Sequence, residues 1–168
     1  LDNPSLVMEL SEDPVRLYLK EIGGIDLLDT DREFWLASRL DTVRRIEVIS
    51  RGHPLARKDE SRPKSIYRAL YDELLIAWKR LDEDSQRLGF PRPDLLSILQ
   101  EAQMLRQTWE LEGPSYLRAY LDNGLWGKDP LWDGVARHAF IVFICLYMLP
   151  DEMAEHLGRF IQKNKGLP

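Results

Sequence analysis

The chain has 168 residues, with 23 Lys plus Arg against 28 Asp plus Glu and a formal net charge of −5. That length makes one domain the default and lets roughly 70% of the unfolded surface be buried. The acidic balance excludes an independent nucleic-acid binder with a broad basic footprint. A single cysteine, Cys145, excludes a disulfide framework or a cysteine-based metal site within the chain, and fits a reducing cytoplasm.

The first element is over-specified at its start. Ser11 and Asp13 suit an N-cap, and Pro14 suits the first helical position, where its missing N–H costs nothing. Glu12 and Asp13 set negative charge at the positive end of the helix dipole. The pattern predicts a helix to about Ile22, stopped by Gly23-Gly24, which can take the left-handed conformation of a C-terminal cap. Val15, Tyr18 and Ile22 fall at i, i+3 and i+7 and form one apolar stripe. Arg16, Leu19, Lys20 and Gly23 share a neighbouring face: two cations flank an apolar side chain, beside a glycine that another backbone could approach.

Ile25, Leu27 and Leu28 are expected to anchor the connector in a core. Asp29 or Thr30 then caps a second helix, with Thr30 and Glu33 at capping-box spacing. Phe34, Leu36, Ala37 and Leu40 are expected to form its buried side, and the helix runs roughly to Gly52. Basic residues gather at Arg44, Arg45, Arg51, Arg57, Lys58, Arg62 and Lys64; they read as a solvated helix end and a linker over 51–64 rather than a second DNA site.

Beyond the linker, helical spacing recurs between clear stops. Ile66, Leu70, Leu74, Trp78 and Leu81 mark a long helix closing near Gly89. Pro91 and Pro93 lead into one carried by Leu95, Leu99, Ala102, Leu105 and Trp109 and ending at Gly113. A shorter helix follows Pro114, with Tyr116, Leu117, Tyr120 and Leu121. Leu131 to Leu149 reads as the central apolar helix, its apolar run from Ala139 too short to span a bilayer. Pro150 opens the last helix, with Met153, Leu157 and Phe160. No alternating strand pattern of useful length and no repeat is evident, so the class is all-α.

Catalytic and metal constellations are thin. His53, His138 and His156 are isolated in sequence, and no nucleophile elbow, phosphate loop or H-E-x-x-H occurs. Glu152 and His156 share a helix face, but a carboxylate-bridged metal pair needs Glu-x-x-His on two helices and further Glu residues. Gly23-Gly24 lacks the strand and spacing of a nucleotide loop. Trp109, Trp126 and Trp132 read as core. The expectation is a chain that is not an enzyme, with no cofactor, no metal, no small-molecule substrate and no membrane partner.

The run Asp13-Pro14-Val15-Arg16-Leu17-Tyr18-Leu19-Lys20-Glu21-Ile22-Gly23, then Leu27-Leu28 and Leu36-Ala37-Ser38-Arg39-Leu40, resembles region 1.2 of bacterial primary-type sigma-70 family sigma factors. The match is gapless and covers about the first third of the chain. Two positions depart from the family pattern: Asp29 replaces the usual Ser or Thr cap, and Trp35 stands where a charged residue is common. Leu19 stands where other members carry Met.

The resemblance implies contact with promoter DNA, at the non-template strand of the discriminator, within an open complex formed by core RNA polymerase. It assigns that contact to Arg16, Leu19, Lys20 and Gly23, with Val15, Tyr18, Ile22, Leu27 and Leu28 holding the helix against the domain. It also implies a fold like the N-terminal part of the sigma-70 region 2 domain with a helical insertion. Residues 1–52 form the region 1.2-like segment and residues 53–168 the insertion, the non-conserved region, packed with it. Leu149-Pro150-Asp151-Glu152 resembles the close of such an insertion, so the chain is expected to stop just before region 2.1. The alternative is a helical protein-interaction module that regulates polymerase without touching DNA. A core-binding helix encoded beyond Pro168 would favour the factor.

Overall fold

The computed structural model describes residues 14–23, 28–52, 62–108, 113–122 and 128–168. Ser11, Glu12, Asp13, Gly24, Ile25, Leu27, His53, Arg57, Lys58, Trp109 and Trp126, singled out above, lie outside them. Among the described residues there are seven helices and no strand, so the fold is all-α. They are α1 (Pro14–Gly23), α2 (Thr30–Gly52), α3 (Arg62–Leu88), α4 (Leu95–Gln107), α5 (Tyr116–Leu121), α6 (Pro130–Met148) and α7 (Asp151–Asn164).

Helix α6 is the centre of the bundle. Asp129 caps it by accepting from the Leu131 amide at 2.9 Å, and Pro130 occupies the first turn. Trp132, Val135, Ala139, Val142, Phe143 and Leu146 are all buried. Each large apolar side chain taken out of water contributes about 1.5–3 kcal/mol, which makes this helix the main source of cohesion. By length and composition α6 could cross a membrane; its apolar side chains instead fill the core of the bundle. Helix α3 packs most extensively along it, then α4, and α7 lies on α4. Gly134 permits the close crossing of α3, since a Cβ there would stand 3.1 Å from Asp84 Oδ2.

The ends of the elements follow local chemistry. Helix α3 closes in a Schellman arrangement around Gly89, whose φ is +64. The Gly89 amide donates to Gln86 O at 3.0 Å and the Phe90 amide to Ser85 O at 2.9 Å. Helix α4 starts at Asp94, which accepts from the Ser97 amide at 2.9 Å, and it ends at Gln107, short of the Gly113 stop expected from sequence. The corner between α6 and α7 is gripped from α4. Gln103 donates to the carbonyls of Leu146 and Leu149 at 2.7 and 3.3 Å, and Arg106 donates to Leu149.

Helix α2 is rotated relative to the sequence expectation. Its buried face carries Trp35, Ser38 and Thr42, with Phe34 and Ile49 half-buried against the core. Leu36, Ala37 and Leu40, expected inside, are exposed, Leu40 at 56% against 1% for Ser38. The polar residues can go inside because their groups are satisfied there. Ser38 Oγ donates to Phe34 O at 2.8 Å and Thr42 Oγ1 to Ser38 O at 2.7 Å. Trp35 and Arg45 reach acidic partners on other helices.

Candidate nucleic-acid interface

Helix α1 is short, ten residues, and buries none of them. Arg16 and Lys20 lie at i and i+4 and therefore stand on one face, about 5–6 Å apart at Cβ. Leu19 is 56% exposed beside them. Lys20 sits in the last turn, where the helix dipole favours a cation. Gly23 is still helical, and a Cβ there would meet nothing within 4 Å, so the face ends in open space. The four residues assigned to DNA contact are thus brought together on one accessible surface.

The stripe assigned to packing is also open. Val15 is 59% and Tyr18 60% exposed, and Ile22 and Leu28 are exposed as well. None of them is buried, so the expected packing of this stripe into a core is not seen. Leu27 is outside the described residues.

Helix α2 is held firmly where α1 is not. Asp29 caps it, accepting from the Arg32 amide at 2.8 Å while its carbonyl accepts from Glu33 N at 3.0 Å. Asp29 rather than Thr30 is therefore the cap. Trp35 donates its indole N–H to Glu101 Oε1 at 2.8 Å. Glu101 also accepts from Ser115 Oγ at 2.5 Å and from the Leu117 amide at 3.0 Å. Arg118 pairs with Asp31, and that hydrogen bond, with smaller contributions from Asp122 and Asp29, pushes the guanidinium pKa further up. Phe34 packs edge-on to Phe140, with ring centroids 5.9 Å apart.

Glu101, Ser115 and Arg118 were not singled out by sequence reasoning. A signal was present: Glu101 lies three residues after Ile98 and four before Leu105, on the flank of the apolar face of α4. A carboxylate at such a position needs donors aimed at it.

Three of the basic residues in and near the end of α2 have acidic neighbours. Arg44 pairs with Asp41 and Arg51 with Glu47, both at 3.4 Å on exposed side chains, and Arg45 pairs with Glu73 of α3. His156 donates from Nδ1 to the Glu152 carbonyl at 2.7 Å, and no group of three possible metal ligands occurs among the described residues.

No solved structure matches the chain. Residues 13–41 match the family described as Sigma-70 factor, region 1.2. That match covers α1, the connector and the first half of α2, the segment whose cationic face stands open. Residues 13–41 are therefore similar to region 1.2 of sigma-70 factors, which suggests a role in transcription initiation.

Proposed function

We propose that α1 presents Arg16, Leu19 and Lys20 to the non-template discriminator strand of promoter DNA, in the open complex formed with core RNA polymerase. The observation that carries this reading is the region 1.2 match over residues 13–41, whose first helix leaves that face uncovered. Arg16 and Lys20 neutralise phosphates, a salt-dependent contribution that is blind to sequence. Leu19 packs on an unstacked base between them, since single strands are held by a charged track combined with apolar or flat platforms. The open space at Gly23 leaves room for the strand's backbone. Residues 53–168 are, on this reading, the helical insertion, and the setting is the cytoplasm.

The net charge of −5 supports a divided role. An acidic chain with two cations on one short helix binds DNA weakly unaided, so polymerase delivers the strand to it. The test is open-complex lifetime with Arg16→Ala or Lys20→Ala on promoters that differ only in the discriminator. Lifetimes shortened by a similar factor on each promoter are expected, because phosphate contacts carry no base information; unchanged lifetimes would sink the assignment.

A second reading is favoured by one observation, the open stripe Leu36, Leu40 and Val43 on the outer face of α2. Exposed apolar side chains in a row mark protein contact. On that reading the chain regulates polymerase without touching DNA. Crosslinking from residue 19 to the discriminator strand separates the two, since the module forms no such crosslink.

A further inference from the structure

The central helix α6 is covered on most sides, and the strip left open carries a charge. Between Val135 and Leu146 the residues that are not buried are Arg137, His138, Phe140 and Ile141. Arg137, Phe140, Ile141 and Ile144 fall at i, i+3, i+4 and i+7, so they share one face over two turns, about 10 Å. That face lines a groove of about 460 Å³. Asp41, Arg44, Arg45 and Val48 of α2 line it from one side and Glu73 of α3 from the other.

The groove is apolar where it is deep and cationic where it is open. Ile144 is buried, Phe140 and Ile141 are half-buried, and Val48 is 69% exposed. Phe140 is backed edge-on by Phe34, which steadies its ring. Three arginines meet two carboxylates there, in a chain whose net charge is −5. Arg45 and Glu73 neutralise each other. Arg44 reaches Asp41 at 3.4 Å between exposed side chains, a pair that contributes little in water. Arg137 is exposed and enters no ion pair among the described residues.

We propose that this groove docks one face of an acidic amphipathic helix of a protein partner, with its apolar side chains on Phe140, Ile141 and Val48 and its carboxylates on Arg137 and Arg44. Charge sets the sign of the partner. A basic helix meets like charge at Arg137, and a purely apolar one buries that guanidinium without an acceptor. Shape sets its form. Two turns of groove match two turns of a helix, whose i, i+3 and i+4 side chains stand together on one face. A nucleic-acid strand carries a charge at every phosphate, which Asp41 and Glu73 oppose, whereas a helix can place its carboxylates at the two arginines alone. Aromatic rings and arginines are also the side chains that protein interfaces favour. The proposal stands apart from the reading of α1, whose cations lie on another element.

The test places a photo-crosslinking phenylalanine analogue at position 48 of the intact protein, which is irradiated with core RNA polymerase and promoter DNA. Sequencing of the crosslinked peptide by mass spectrometry is expected to find one protein segment with apolar residues at helical spacing and carboxylates beside them. Arg137→Glu and Arg44→Glu are each expected to cut the crosslink yield by about tenfold, since like charges then face each other. Both positions are exposed, so the two variants keep the fold. Arg137→Lys is expected to retain most of the yield, and Arg159→Glu, on α7, is the control that leaves it unmoved. No protein crosslink, a crosslink to DNA, a segment without carboxylates, or a yield unmoved by both charge reversals each overturns the proposal. Arg16→Ala is expected to leave the crosslink unchanged, so this proposal and the assignment of α1 fail separately.

Discussion

The indole Nε1 of Trp35 lies 2.8 Å from Oε1 of Glu101, a contact that spans 66 residues of sequence and joins α2 to α4. It turns α2 so that Trp35, Ser38 and Thr42 face the bundle and the leucines face outward. A buried carboxylate is a poor source of net stability but a strict one. Its desolvation is offset only while its donors are in place, and breaking the set exposes the whole penalty.

Glu101→Ala is therefore expected to destabilise the protein by about 3–5 kcal/mol, because three donors lose their acceptor at once. Trp35→Phe removes one donor and keeps the ring, and is expected to cost about 1–2 kcal/mol. Urea unfolding of each variant, followed by far-ultraviolet circular dichroism, checks both values and their order.

The rotation of α2 gives a second expectation. Leu40→Lys is expected to change stability by no more than about 0.5 kcal/mol, since Leu40 stands in solvent. Ser38→Leu, at a position 1% exposed, forces extra volume into the core and is expected to cost about 1–3 kcal/mol. If the buried side were the one read from Leu36, Ala37 and Leu40, the order of the two effects would reverse.

Helix positions, class and most stops were legible in the sequence because spacing and punctuation are local. Leu70, Leu74 and Leu81 mark α3, Gly89 ends it, and Pro130 opens α6. The buried face of α2 was not legible in the same way. Hydrophobicity ranks Leu36 and Leu40 above Ser38 and Thr42, and the ranking fails where a distant residue satisfies the polar side. Nothing near Trp35 in sequence announces Glu101. The cationic face of α1 was legible, since Arg16, Leu19 and Lys20 are neighbours by helical spacing alone. Whether the stripe beside it packs depends on surfaces that spacing cannot name, and here Val15 and Tyr18 are open.

Backbone conformation gives a third expectation. Gly89 at φ +64 and Gly113 at φ +107 hold conformations that L-residues rarely adopt, and neither has a neighbour that a Cβ would touch. Substitution thus acts through strain rather than clash. Gly89→Ala is expected to cost about 1 kcal/mol, and Gly113→Ala more, since φ +107 lies farther from the left-handed helical well. Thermal unfolding of the two variants checks the order.

Cys145 links stability to alkaline pH. Burial pushes its thiol from the ordinary value up to about 12, with Arg45 pulling weakly the other way. The unfolded chain ionises this thiol near pH 9 while the folded protein keeps it protonated. Its contribution is therefore complete below about pH 9 and lost as pH rises towards 12. Three units amount to an upper bound on the order of 4 kcal/mol. Tyr71, Tyr116 and Tyr120, whose phenols burial also raises, act in the same direction at higher pH. The urea midpoint is expected to fall between pH 9 and 11.5, and to fall less steeply in Cys145→Ala. The native thiol is also expected to resist labelling by a thiol reagent at pH 8 until the protein unfolds.

The last expectation concerns charge on α1. If Arg16 and Lys20 each neutralise one phosphate, each releases condensed counterions on binding, and the release appears as a slope of log affinity against log salt. Arg16→Ala in holoenzyme is expected to lower the magnitude of that slope by about 1, and the double variant with Lys20→Ala by about 2. The loss should be uniform across discriminator sequences, because phosphate contacts carry no base information. Leu19→Ala is expected to do the opposite: the salt slope stays, while preference among discriminator bases narrows, because a side chain that packs on an unstacked base has no counterion to release. A salt slope unchanged in both cation variants would show that the two side chains meet solvent rather than phosphate in the complex, and filter binding over 50–200 mM salt measures it.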